Sequence, residues 1–546
     1  MFSSFLLLLS TFVVVVTGLD LKDQPLLVQT QSGLVQGHLE PGGARLWAGI
    51  PYAAPPVGDL RFEYPVQPAK FSGTYEANFV APGCPQDCVL PPGNCPLTKS
   101  EDCLYLSVFS PNSPPPSDSH SWPTLVWFHG GAYEQGLGNC ALYNGTTFAQ
   151  QGVVTVVLNY RLGALGFMAS SSMKGNYGMM DQRLALQWVQ DNIKAFGGDP
   201  ERVTIAGQSA GAMSVGTHLV SAGSKGLYSA AIMESNPLGL PYHTRGSAAK
   251  NADAVFKYLG CATDDVACMR TKTADEIVKA QKDAIKMDRN TLFINFLGFS
   301  PLVEKGGELP DQPFNMLARG EMHTVPMLSG SLYDEGQLFV YELFTKEMSS
   351  LSYKSTVDLV FGKKAGKQVL DKYPMQCSTC PPDNKDGRAP FNELATDLLF
   401  YCPLRNSTRG SQAVLGAQAP PTYLYRFKHI LSFDCWGPDY AFCRGICCHG
   451  SELPFVFNVF SDGNIEYAPT TDEKKLAQDV GGAWTNFITK HVPSSPSIPQ
   501  TYVTYSAAAD ELVVLDEPLY PAPGSDASAV RTEWCNMWDQ LGYLNW

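Results

Sequence analysis

Arg202-Val-Thr-Ile-Ala206 runs straight into Gly207-Gln208-Ser209-Ala210-Gly211, and the residues from Ala210 to Val220 continue with helix-like apolar spacing. The first segment, rich in β-branched side chains, reads as a buried strand. A turn that takes a strand into a helix this quickly crowds its own backbone, so Gly is wanted on both sides of Ser209. Such a strained turn lifts the Ser hydroxyl off the end of the sheet toward solvent. The helix that follows directs its free N–H groups and the positive end of its dipole at the same point. In a chain with 49 Gly the pentapeptide alone could be a structural turn. Its seat between a strand and a helix favours a nucleophile.

Outward from this turn the pattern repeats. Thr124–Phe128 (TLVWF) and Val153–Asn159 (VVTVVLN) read as buried strands, and Asp181–Ala195 as a helix that stops before Gly197-Gly198. Strands alternating with helices predict an α/β fold built on a largely parallel sheet. Sheets of that kind hold their ligand sites at the carboxyl ends of the strands. No internal repeat or long linker interrupts the chain, and the Pro-rich patches at Pro111–Pro116 and Pro493–Pro499 read as surface loops. A length of 546 residues would admit three domains. The motifs, however, are spread from residue 49 to the C-terminus, which predicts a single domain over 19–546 with large insertions.

Composition excludes some functions. With 44% hydrophobic and 17% charged residues, the chain can bury a large core. The net charge of −13 comes without a basic stripe, so nucleic acid is not an expected partner. Phe5–Val16 (FLLLLSTFVVVV) is a short apolar run followed by Thr17-Gly18. It reads as a signal peptide, residues 1–18, because it is too short to span a bilayer comfortably. The polar C-terminal residues speak against a GPI signal, so the expected location is extracellular or in the secretory lumen, with no membrane span. Fifteen Cys suit an oxidising compartment. Sequons at Asn144 and Asn406 add two candidate glycosylation sites.

Several segments resemble the type-B carboxylesterases, the family that includes cholinesterases and several lipases. Phe196–Gly211 (FGGDPERVTIAGQSAG) is similar to that family's serine signature, and Glu101–Pro111 (EDCLYLSVFSP) to its second signature. Gly49–Phe62, Asn159–Phe167, Gly175–Leu186 and the C-terminal Trp534–Asp539 match further family segments in order. The resemblance covers essentially the whole chain after residue 18 and implies the α/β-hydrolase fold.

It also implies a site. A Ser hydroxyl needs a base, and the base an orienting acid. On this fold they follow the Ser in the order acid, then His. Cys448-His449-Gly450 resembles the family's histidine segment, which implies His449 as base. Ser331–Phe339 (SLYDEGQLF) resembles its acid turn and selects Glu335 over Asp334. Ser235 matches a serine expected to support that acid, although Asn236 stands where the family has Gly. His129-Gly130-Gly131-Ala132 resembles the oxyanion loop, with the Ala210 N–H completing the hole. His218, on the helix after the elbow, is better explained by packing.

The resemblance further implies ion pairs Arg61–Glu101 and Arg161–Asp181, and disulfides Cys84–Cys103 and Cys261–Cys268, with Cys402–Cys535 as a third. Cys88 and Cys95, inside the first loop, could pair. Cys377, Cys380, Cys435, Cys443, Cys447 and Cys448 remain unassigned, and an odd total leaves at least one sulfur over, Cys140 being a candidate. A zinc site on the Cys-x-x-Cys and Cys-Cys-His runs competes with disulfides, and oxidation is favoured.

The implied chemistry is acyl transfer on a small-molecule ester of short to medium acyl length, with no metal or organic cofactor. Phe296 and Phe299 fall in a segment that resembles the family's acyl-pocket wall, with ordinary core packing as the equal alternative. The rival readings are a family lipase and a non-enzymatic, cholinesterase-like adhesion protein. An intact Ser, Glu, His and Gly-Gly set speaks against the last. The absence of Trp between Cys84 and Cys103, and Gln208 in place of the cholinesterases' Glu, speak against choline esters.

Overall fold

The computed structural model describes residues 26–117, 119–285, 293–377, 380–495 and 502–544. The expected signal peptide, residues 1–18, lies outside the described residues. Eleven strands form the main sheet. They are β1 (His38–Leu39), β2 (Arg45–Pro51), β3 (Tyr105–Ser110), β4 (Trp122–Phe128) and β5 (Val154–Leu158). β6 (Gly198–Gln208), β7 (Ala230–Glu234), β8 (Met327–Leu332), β9 (Thr422–Phe427), β10 (Leu512–Leu515) and β11 (Tyr520–Ala522) complete it.

In space the strands run β11-β10-β9-β8-β7-β6-β4-β5-β3-β2-β1. The stretch from β10 to β5 is parallel throughout, and the flanking strands are antiparallel. The parallel strands are buried on both faces, which is why they read as continuous apolar runs. Crossover helices supply that cover, among them α1 (Tyr177–Asn192), α2 (Ala210–Val220), α3 (Glu335–Leu343) and α4 (Thr471–Lys490).

Two elements are longer than their apolar pattern suggests. α1 starts before Asp181, because Asn176 breaks the chain at φ 60° and is held there by hydrogen bonds with the backbone of Leu302. β6 begins at Gly198, where pairing with Trp122 extends the ladder beyond the β-branched segment.

The expected ion pairs are formed. Arg161 makes a bidentate contact with Asp181 at 2.8 and 2.7 Å, and Asp181 also accepts the Arg161 N–H. Arg61 grips Glu101 and donates to the Lys272 carbonyl. Six disulfides are present: Cys84–Cys103, Cys88–Cys95, Cys261–Cys268, Cys377–Cys380, Cys402–Cys535 and Cys443–Cys448. Cys140, Cys435 and Cys447 are free thiols. Oxidation therefore consumes the Cys-x-x-Cys sulfurs and Cys448 that a zinc site would have used. Among the described residues no group of His, Cys, Asp and Glu could hold a metal ion, and no helix is long and apolar enough to cross a membrane.

Candidate active site

β6 delivers Ser209 at its carboxyl end, in a backbone conformation of φ 57°, ψ −124°. The turn closes so tightly that a Cβ on Gly211 would lie 2.0 Å from the Phe128 carbonyl oxygen. One on Gly207 would meet the Gly211 backbone at 2.5 Å. No residue with a side chain fits at either place. Ser209 N donates to the Glu234 carbonyl on β7, fixing the turn to the neighbouring strand.

The loop after β4 passes directly beside Ser209. A Cβ on Gly130 would sit 2.9 Å from the Gln208 carbonyl and 3.2 Å from Ser209 Cβ. Gly131, at φ 101°, has no such room either, because the Gln135 carbonyl lies 2.2 Å from where its Cβ would stand. Among the described residues the N–H groups of Gly130, Gly131 and Ala210 have no acceptor. They are left without an acceptor, and Ala210 is the first residue of α2, where intrahelical acceptors are missing.

Glu335 follows β8 at the start of α3, and His449 comes from the long segment after β9. His449 Nδ1 donates to Glu335 Oε2 at 2.5 Å, and Glu335 Oε1 accepts the Leu332 N–H at 2.7 Å. Both side chains are buried. The imidazole lies against the rings of Phe339 and Phe400, at 5.1 and 5.3 Å between centroids. Asp334 faces the other way and accepts from Asn392. His449 Nε2 meets the Gln208 side-chain amide at 3.1 Å, and the Ser209 hydroxyl makes no hydrogen bond among the described residues.

Ser235 is placed differently from its expected role. Its hydroxyl is fully buried, makes no well-formed hydrogen bond, and lies beside Glu452 rather than on Glu335. Below the site Glu452 and Glu234 are buried together. Burial and the neighbouring Glu234 and Glu335 hold Glu452 well above the ordinary carboxyl range, and burial pushes Glu234 up to about 8. Trp484 Nε1 donates to Glu234 at 2.7 Å. Spacing in the sequence carried no sign of this carboxyl pair.

A cavity of about 400 Å³ opens over Ser209. Its floor includes Gly130, Gly131, Gln208 and His449, and its walls include Phe296, Phe339, Trp436 and Tyr440. Of the two Phe in the expected acyl wall, Phe296 borders the cavity, whereas Phe299 is packed in the core. An indole does line the space, Trp436, and it comes from the segment before His449 instead of the loop closed by Cys84–Cys103. The nested Cys88–Cys95 loop forms part of the rim, where Tyr440 donates to the Val89 carbonyl at 2.7 Å.

The model of the carboxylesterase family matches residues 24–538. The chain belongs to the carboxylesterase family. Crystal protein of Dictyostelium discoideum is 38% identical over 83% of this chain and 80% of its own length. Para-nitrobenzyl esterase of Bacillus subtilis is 34% identical over 90% and 95%. Acetylcholinesterase of Bungarus fasciatus is 32% identical over 94% and 86%. Among solved structures, a PNB esterase superposes with a TM-score of 0.77 at 32% identity, covering 93% of this chain and 99% of that one. This carboxylesterase-family chain thus has the α/β-hydrolase fold and is a carboxylic ester hydrolase.

Proposed function

We propose that Ser209 is the nucleophile of a secreted carboxylesterase that works through an acyl-enzyme on esters of short to medium acyl length. The observation that carries this reading is the His449–Glu335 couple, with His449 lining the same cavity as Ser209, Gly130 and Gly131. His449 takes the Ser209 proton as the oxygen attacks the ester carbonyl, and Glu335 steadies the imidazolium that forms. The N–H groups of Gly130, Gly131 and Ala210 receive the oxyanion, each donor being worth ~10²–10³ in rate. His449 then returns the proton to the leaving alcohol, and water, activated in the same way, frees the acid.

One domain over 19–546 fits this reading, since strands from His38 to Ala522 share one sheet. Secretion is supported by the apolar N-terminal run and six disulfides, with Asn144 and Asn406 as the glycan acceptors. The test of the chemistry is direct. Ser209→Ala should lose up to ~10⁶ in turnover, as other serine hydrolases do without their nucleophile, while keeping the fold. An organophosphate should label the wild type at Ser209. A label on another serine, or an active Ser209→Ala, overturns the reading, and an adhesion role would then take its place.

A further inference from the structure

We propose that Gln208 is a positioning residue whose side-chain amide holds the His449 Nε2 lone pair and thereby sets the lowest pH at which the site works. The inference rests on reading His449 as the base. The orientation of the contact follows from the other side of the ring. Nδ1 carries its proton to Glu335, so in a neutral imidazole Nε2 has only a lone pair to offer. The Gln208 amide, 3.1 Å away and buried, must therefore donate.

The charged surroundings give this donor its consequence. Glu335 binds Nδ1, and Glu342, farther along α3, faces the same ring across the cavity. Glu452, three residues on in the segment of His449, and Glu234 on β7 lie beneath it. Asp334, before Glu335, is turned to Asn392. No Lys or Arg lines the cavity among the described residues. Burial keeps Glu452 and Glu234 protonated on the acid side, where they add no charge, whereas an ionised carboxylate on Nδ1 favours a protonated ring, which cannot accept the Ser209 proton. A hydrogen bond donated to Nε2 favours the neutral ring instead. Gln208 opposes the carboxyls with a dipole and no charge, and it gives way when the Ser209 hydroxyl takes the same lone pair during attack. A Glu at this position could not do so, because an ionised carboxylate only accepts and would add one more negative charge beside the ring.

The experiment compares kcat/KM against pH for a p-nitrophenyl acetate substrate in wild type, Gln208→Glu and Gln208→Met. The acid limb of Gln208→Glu should move to higher pH by about one to three units, the range for a carboxylate placed beside a cation. Gln208→Met, which keeps the volume and loses the donor, should move it less and in the same direction. If Gln208→Glu does not fold, the Met variant decides alone. Limbs that superimpose on the wild type overturn the inference. Ser209→Ala and His449→Gln run alongside: if both are inactive and the limbs still superimpose, only the role of Gln208 falls. If either remains active, the triad reading falls with it.

Discussion

Ser209 sits in a backbone region that costs roughly 1–3 kcal/mol for a residue with a side chain, and that strain is what presents its hydroxyl to the cavity. His449 and His218 show how environment separates two histidines near the Ser209 turn. His218 lies wholly inside the protein between Ser224 Oγ and Gln182 Oε1, and burial lowers it to about 3. It therefore stays neutral and structural at any working pH. His449→Gln should abolish esterase turnover, whereas His218→Gln should destabilise the fold by about 1–3 kcal/mol and leave the remaining folded protein active. Parallel urea melts and rate assays check both, and inactivation by the His218 change alone would reverse the assignment. His449 could be picked out because its segment, with Gly450 next and Glu452 close by, resembles the family's histidine segment. Gln208's contact with it could not, because the two are 241 positions apart.

At the scale of elements, α1 is tied to the segment that follows β5 by a buried charge pair. Arg161 and Asp181 are both nearly inaccessible, and their bonds are bidentate. Removing one charge strands the other in a medium that cannot solvate it. Asp181→Asn should accordingly cost about 3–5 kcal/mol, read as a lower midpoint in denaturant. An unchanged midpoint would show that water reaches Arg161. The segment carrying His449 is held by other means: Cys443–Cys448 closes just before it, and Asp334 bridges to Cys448. Helix and strand positions near the elbow were legible from periodicity. The pairing of Cys443 with Cys448, leaving Cys435 and Cys447 reduced, was not, since residue spacing does not say which sulfurs meet.

Over the whole molecule two consequences of packing can be measured. Glu234 is raised to about 8 from an ordinary 4.5, first of all by burial. Between those values the folded protein keeps a proton that the unfolded chain gives up, so stability falls as pH rises through that window. The loss is complete above the folded value. Glu234→Gln keeps an oxygen for Trp484 and removes the titration. Its melting temperature should drop less than the wild type's between about pH 5 and about pH 9; equal drops would mean that Glu234 ionises freely.

The second consequence concerns substrate size. Phe296 and Phe339 meet edge to face at 5.3 Å beside the site, and the rim is stapled twice, by Cys84–Cys103 and Cys88–Cys95. Acetyl to hexanoyl p-nitrophenyl esters should outrun the palmitoyl ester, without a jump in rate at a triolein surface. A sharp interfacial increase would show a working lid and make this a lipase.

The sequence by itself determined the class of fold, the elbow around Ser209, the order of the candidate acid and base, and several cysteine partners. These depend on local rules of periodicity and turn chemistry, or on motifs long enough to be recognised. Only the tertiary structure decided that Phe296 and not Phe299 borders the cavity, that Trp436 lines it, and that Ser235 faces Glu452. It also decided that Glu234 and Glu452 share one buried region below the candidate site. Those facts turn on which side chains face each other across β6, β7, β8 and the loops above them. A chain written in one dimension does not specify such meetings, because residues hundreds of positions apart become neighbours only when the sheet brings its strand ends together.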